Sequence, residues 1–249
     1  LDSTYADALA FLALTKLTSQ GQTGDDGFNR DLYIDELNYG LELANKALKY
    51  EPKHQLGLAM SITIPMTLFF EENTKNAGFF NDAMFMRNIA VTVKTMAKEY
   101  PNSSYTKAIV GAYYYVRGQY SSSEEGIQEG QDLMESAWEQ VKNIDFNNSS
   151  DGYSMASFYL LKEWLPELWL SRGKSDEAIN MIKTYDLCDD DTYHCVPIER
   201  LNLIIDVLYK ADAYEENLKA CDALFNKKNR EFEARLIDIS IKKNPYYIA

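Results

Sequence analysis

The sequence is poor in histidine, cysteine, helix breakers and positive charge. Its 249 residues include two His, three Cys, six Pro and 12 Gly. With only His54 and His194 present, His-rich metal sets and His-based acid–base machinery have little to build on. Scarce Pro and Gly suit a mostly helical chain. Lys and Arg number 25 against 38 Asp and Glu, a net charge of −13. That balance argues against nucleic acid, whose affinity rests on clustered basic side chains. Basic peptides, cations and neutral ligands are easier partners. Long hydrophobic runs are also missing. The longest, Leu56 to Phe70, falls short of the roughly 20 residues that cross a bilayer, and it contains Pro65, so no transmembrane segment is expected. Aromatics are not scarce: 18 Tyr and 11 Phe exclude a disordered chain. The length allows one large domain or two small ones.

Catalytic motifs are absent as well. The sequence has no G-x-S-x-G, no phosphate-cradling Gly loop and no H-E-x-x-H. Glu124-Glu125 and Glu215-Glu216 read as helix starts, favourable with the helix dipole. Asp189, Asp190, Asp191 and His194 match no zinc spacing. The oxygens of Asp25, Asp26, Asn29 and Asp31 suggest calcium, but Gly27 and Arg30 break the EF-hand pattern. No catalytic residue, metal or cofactor is assigned, and the chain is read as a non-enzyme.

Cys188 and Cys195 are seven apart; if they pair, they close a small loop and imply an oxidising compartment. Cys221 reads as a small buried hydrophobe. The first residue is Leu1, as expected where an export signal or lipid-anchored leader has been removed. These features point to a periplasmic or extracellular setting, with lipid anchoring as an option. A cytoplasmic setting is the alternative.

The segments read as helices throughout. One is capped near Asp2 to Thr4 and runs to about Ser19; a polar loop follows from Gly21 to Asp31. The next spans about Leu32 to Tyr50, stopped by Pro52. A third runs from Lys53 or His54 to about Phe70, where Pro65 predicts a kink or a split. His54 is expected in an exposed first turn. Later helices span Phe80 to Tyr100, Ser103 or Ser104 to Arg117, and a stretch opened by Ser121 to Glu125. Residues 146–152, FNNSSDG, form a weak break within a single domain, 1–249. Leu161 to Tyr185 is a helical hairpin turning at Arg172 to Ser175. Helices then follow from Pro197 to Ala211, Tyr214 to Lys227 and Arg230 to Lys242. The count is about eleven, paired as antiparallel hairpins.

An internal repeat emerges from this pass. Leu165, Trp169, Gly173, Ala178, Ile182 and Tyr185 map onto Ile204, Leu208, Asp212, Asn217, Cys221 and Leu224 at a constant offset of 39 residues. The endings ALKYEP and MAKEYP recur 49 apart. With its turn Gly173 and small Ala178 in WLSRGKSDEAI, and Ala47 and Pro52 in ANKALKYEP, the chain resembles the tetratricopeptide-repeat (TPR) family. It departs from that pattern at Asn217, in the longer turn at Gln119 to Ser123 and in the long loop at Gly21 to Asp31. The resemblance implies an all-α solenoid, a right-handed superhelix of about five hairpins whose first helices line a concave groove. Carried over residue by residue, the groove would present Glu163 and Glu167, then Asn202, Asp206 and Tyr209, with Tyr115 in an earlier hairpin. Acids, an amide and aromatic platforms suit a basic or polar peptide or protein. Trp138, Trp164 and Trp169 read as core. The expected function is a protein-binding scaffold. The alternative is a small-molecule-binding accessory component of a transporter, which would need an enclosed cavity; a third reading is an enzyme with an unrecognised site.

Overall fold

The apolar stripes become ten α-helices, and no strand forms among the described residues. The computed structural model describes residues 3–18, 29–73, 83–144, 151–188 and 191–242. In order the helices are α1 (Ser3–Thr18), α2 (Arg30–Tyr50), α3 (Gln55–Asn73), α4 (Ala83–Glu99), α5 (Ser104–Ser121), α6 (Glu124–Val141), α7 (Gly152–Ser171), α8 (Ser175–Tyr185), α9 (Ile198–Lys210) and α10 (Tyr214–Lys242). The expected eleventh helix merges into α10, which runs unbroken past Lys227 to Arg230. That stretch is polar but holds neither Gly nor Pro, so nothing in it stops a helix. The loop at Gly21 to Asp31 and the turn after Asn73 fall almost wholly outside the described residues.

The chain divides into two compact units, Leu1–Leu161 and Lys162–Ala249. The boundary lies inside α7, and residues 146–150 of the expected weak break lie outside the described residues. Helix α7 begins earlier than the sequence suggested. Asp151 caps it, accepting from the Tyr153 amide at 3.1 Å and from the Ser154 hydroxyl at 2.5 Å. These bonds, led by the one from Ser154, hold the Asp151 carboxyl below its ordinary pKa.

In the first unit, α3 is the central helix. It packs on α1, α2, α4 and α5, and Leu56, Leu58, Met60, Ile62, Ile64, Met66 and Leu68 are buried. A helix apolar on every side needs such surroundings, which explains the Leu56 to Phe70 run. None of the described helices is long and apolar enough to cross a membrane. Pro65 removes the donor that the Ser61 carbonyl would take, yet α3 continues without a break. Four packed neighbours hold the helix together there.

Glycine lets α5 and α6 approach closely. A Cβ on Gly130 would lie 2.6 Å from the Gly111 carbonyl oxygen and would strike the Tyr115 amide. Only a hydrogen atom at residue 130 permits this approach.

Both sequence repeats have structural counterparts. At the offset of 49, His54 and Ser103 are equivalent helix caps. The His54 ring Nδ1 accepts from the Gly57 amide at 3.0 Å, as Ser103 Oγ accepts from the Thr106 amide at 3.4 Å. The Leu58 and Lys107 amides then donate to the His54 and Ser103 carbonyls. His54 is therefore buried, not exposed, and its other nitrogen lies 2.8 Å from Asp7 Oδ1. At the offset of 39, Gly173 and Asp212 both adopt the left-handed conformation, with φ of 71° and 55°. The Lys174 amide donates to the Trp169 carbonyl and the Ala213 amide to the Leu208 carbonyl, at 2.8 and 2.9 Å. Ser122, at φ 51°, repeats the pattern between α5 and α6, with the Ser123 amide donating to the Gly118 carbonyl at 2.9 Å. This is the left-handed helix termination that glycine favours and short polar residues tolerate.

Two glycines should respond oppositely to alanine. Gly130→Ala should lower stability by about 1–3 kcal/mol, the usual cost of overpacking. Gly152→Ala meets no atom within 4 Å and should raise stability by about 0.5 kcal/mol through helix propensity. Urea unfolding of the two variants measures both, and indistinguishable midpoints would contradict the glycine contact.

Candidate functional site

The second unit is organised by a buried carboxylate. Asp186 follows the last turn of α8, its amide donating to the Ile182 carbonyl at 2.8 Å. Its side chain sits where water cannot compensate its charge, and Arg200 of α9 meets it with two bonds. Nε donates to Oδ1 at 3.1 Å and Nη2 to Oδ2 at 2.8 Å. Asp186 is 4% exposed and Arg200 8%. Lys162 of α7 completes the set, its Nζ 2.7 Å from Asp186 Oδ1 and bonded to the Tyr185 carbonyl at 2.9 Å. Burial opposes the Arg200 charge, but the bonds and charge of Asp186, with Glu163, hold its pKa above the ordinary guanidinium value.

This network determines the surroundings of the sequence-derived site residues. Glu163 lies beside Arg200, with Oε2 3.2 Å from Nη1, close enough for an ion pair but poorly aligned for a hydrogen bond. Glu167 and Asp206 share Lys210, at 3.7 and 2.5 Å. The bond from Asp206 leads the causes that raise the Lys210 pKa. The Lys210 side chain is 52% exposed, so the trio faces water. Tyr209 beside it is 63% exposed, its ring 6.3 Å from that of Tyr214. Asn202, on the same helix, is exposed. Glu167, Asp206 and Tyr209 thus belong to one surface patch built on α7 and α9. Tyr115 belongs to the other unit, half-buried on α5 with its amide against Gly130. Trp138 and Trp169 are buried, while Trp164 is half-buried.

Sequence reasoning missed Lys162, Asp186, Arg200 and Lys210. Arg200 carried the available signal, a cation at the edge of the apolar stretch RLNLII. Its partner Asp186 lies 14 residues away across a loop, beyond helical spacing.

The loop between α8 and α9 is closed by Cys188 and Cys195, bonded with their Cα atoms 6.0 Å apart. Within it, the Cys188 amide donates to the Thr192 carbonyl at 2.8 Å. Tyr193 is wholly buried and anchors the loop, its hydroxyl 3.5 Å from Glu216 Oε2. Lys183 and Lys219 each lie 3.2 Å from Glu216 Oε1. Burial raises the Glu216 pKa, but those two lysines outweigh it and the net shift is downward. His194 Nδ1 lies 2.6 Å from Thr192 Oγ1. Asp189 and Asp190 lie outside the described residues, as do Asp25 and Asp26. Asn29, from the calcium-like run, instead caps α2 by accepting from the Leu32 amide at 3.1 Å. Among the described residues, no three metal-ligating side chains form a metal-sized group.

Two concavities of the first unit are lined by described residues. One, of about 180 Å³, lies at the α5–α6 turn between Arg117, Tyr114, Glu125 and Glu129. The other, of about 370 Å³, is mostly apolar and is lined from α1, α3, α5 and the start of α7.

The buried tyrosine gives a pH test. Burial first, and then the charges of Glu216 and Asp186, raise the Tyr193 pKa. A raised folded-state pKa leaves stability intact below the unfolded value of about 10 and removes it as pH climbs above that. Wild-type protein should therefore lose stability above about pH 10 more steeply than Tyr193→Phe. Thermal melts across that range would read parallel curves if the hydroxyl were not desolvated. Comparison of the chain with family models, with curated proteins and with solved structures found no match.

Proposed function

We propose that the chain is a non-enzymatic TPR-like helical-repeat scaffold that binds a basic or polar segment of a partner protein on the α7/α9 patch of its second unit. The observation that carries this reading is the trio in which Glu167 and Asp206 share Lys210. Two carboxylates around one water-exposed ammonium leave a net negative charge beside the exposed ring of Tyr209. A partner lysine or arginine can displace Lys210 and take both carboxylates, while Tyr209 offers an aromatic face to its neighbour. Glu163 contributes less, because Arg200 already lies against it.

The superhelical part of the proposal draws support from α1, α3 and α5, which pack on one another in series. In a stacked-hairpin array each first helix meets the next one. The three shared left-handed turns support a common unit. The Cys188–Cys195 bond fits an exported, oxidising setting.

A short lysine–tyrosine repeat peptide serves as the probe. It should bind saturably and more weakly as salt rises. Glu167→Gln combined with Asp206→Asn should weaken it roughly tenfold, the scale of one charged hydrogen bond. Lys210→Met removes the internal competitor and should strengthen it. Affinity indifferent to all three substitutions, read by fluorescence anisotropy, would refute this face.

A further inference from the structure

Helix α10 carries an apolar stripe on the side that α9 leaves uncovered. Tyr214, Leu218, Cys221 and Phe225 follow one another at steps of four, three and four residues. At about 100° per residue they fall within a strip about 60° wide along the helix. The other side of α10 packs on α9. Ala220 and Ala223 are buried, and the Asn217 side-chain amide donates to the Ile205 carbonyl at 2.6 Å. Leu218 and Phe225 are the most exposed large apolar side chains among the described residues, at 66% and 64%, and Tyr214 is 57% exposed. Cys221, between them, is half-buried and forms no disulfide. Single apolar residues scattered over a surface are ordinary, but a continuous exposed stripe marks a place of contact.

The spacing points to the occupant. Steps of four and three residues are those of a coiled-coil seam, in which the stripe of one helix packs on the like stripe of another. Charge sets the direction of such a pair. The start of α10 is acidic, with Asp212 before it and Glu215 in its first turn, both exposed. Glu216 beside them is already met by Lys183 and Lys219. At the far end Lys228 takes the next position of the stripe, three residues after Phe225, and Lys227 adjoins it. Two copies laid parallel would set acid beside acid and base beside base. Turned antiparallel, the acidic end of each stripe lies beside the basic end of the other. The same arrangement sorts the side chains by size. Tyr214 comes level with Phe225 of the second copy, an aromatic pair, and Leu218 with Cys221 of the second copy, a large group against a small one. Each layer then occurs twice, about a twofold axis level with the Lys219–Ala220 peptide bond.

We infer that α10 is a self-association face, through which two copies of this chain pair along an antiparallel seam of Tyr214, Leu218, Cys221 and Phe225. Pairing takes the exposed Leu and Phe of both copies out of water, which drives it. The seam is separate from the α7/α9 patch and does not use that patch's carboxylates.

Sedimentation velocity of the full chain across a concentration series should show a reversible monomer–dimer equilibrium. Leu218→Glu combined with Phe225→Glu should weaken it by at least roughly a hundredfold, as loss of central apolar anchors does. Both side chains are exposed, so the fold is retained, and an unchanged circular dichroism spectrum checks that. Direction is read with thiols in a Cys221→Ser background. One preparation carries Tyr214→Cys and the other Phe225→Cys, and each is oxidised alone and mixed with copper–phenanthroline. The antiparallel seam predicts a covalent dimer in the mixture only, its link between positions 214 and 225 identified by peptide mass spectrometry. Wild-type chain that stays monomeric up to about 0.5 mM would overturn the proposal, as would a dimer that survives the double Glu variant. Covalent dimers formed by each preparation alone, with none between positions 214 and 225, would overturn the antiparallel direction.

Discussion

The second unit depends on one buried charge. Asp186 sits at the end of α8 with its carboxylate almost out of water, where an unpaired carboxylate would be costly. Arg200 from α9 and Lys162 from α7 resolve that problem together. Their geometry demands that three helices meet in one register, so the ion network acts as a specification as much as a source of stability. At the surface, Glu163 lies against the remaining nitrogen of Arg200, and Glu167 and Asp206 share Lys210.

Helix reversals impose the second constraint. Ser122, Gly173 and Asp212 each hold the left-handed conformation two residues before the next helix begins. Glycine adopts it without steric cost, and Asp and Ser are among the residues that tolerate it best in turns. One backbone solution therefore serves three different side chains. The caps at His54 and Ser103 show the same economy, an imidazole nitrogen doing the work of a hydroxyl. The long apolar stretch of α3 follows from its position among four neighbours, and the small residues of α5 and α6 follow from backbones that nearly touch.

Much of this was legible from side-chain pattern. The stripe through Leu165, Leu168 and Trp169 is core, and the offset of 39 corresponds to a repeated turn with matching hydrogen bonds. Pattern failed where tertiary contacts overrule local signals. Pro65 does not split its helix, which continues through it. The polar run around Lys228 stays helical because polarity alone breaks nothing. His54 looked like an exposed first-turn residue; it is buried, and its ring lies 2.8 Å from Asp7, 47 positions earlier. The Asp186–Arg200 pair was invisible for the same reason, since no periodicity links a loop acid to the next helix. Of the candidate site, the acids and Tyr209 were readable as polar positions on helices, but the lysine that joins two of them was not.

If Asp186 organises the second unit, Asp186 and Arg200 must act as one. A double-mutant cycle measured by urea unfolding tests this directly. Asp186→Leu should cost about 3–5 kcal/mol because it leaves the buried Arg200 without its main partner, and Arg200→Met less than that, because Lys162 still pairs with Asp186. The double variant should be less destabilised than the sum of the two, by more than about 1 kcal/mol, since it leaves neither charge behind in the pair. Additive losses would show that the two side chains contribute separately, and the proposed organisation of the second unit around Asp186 would be wrong.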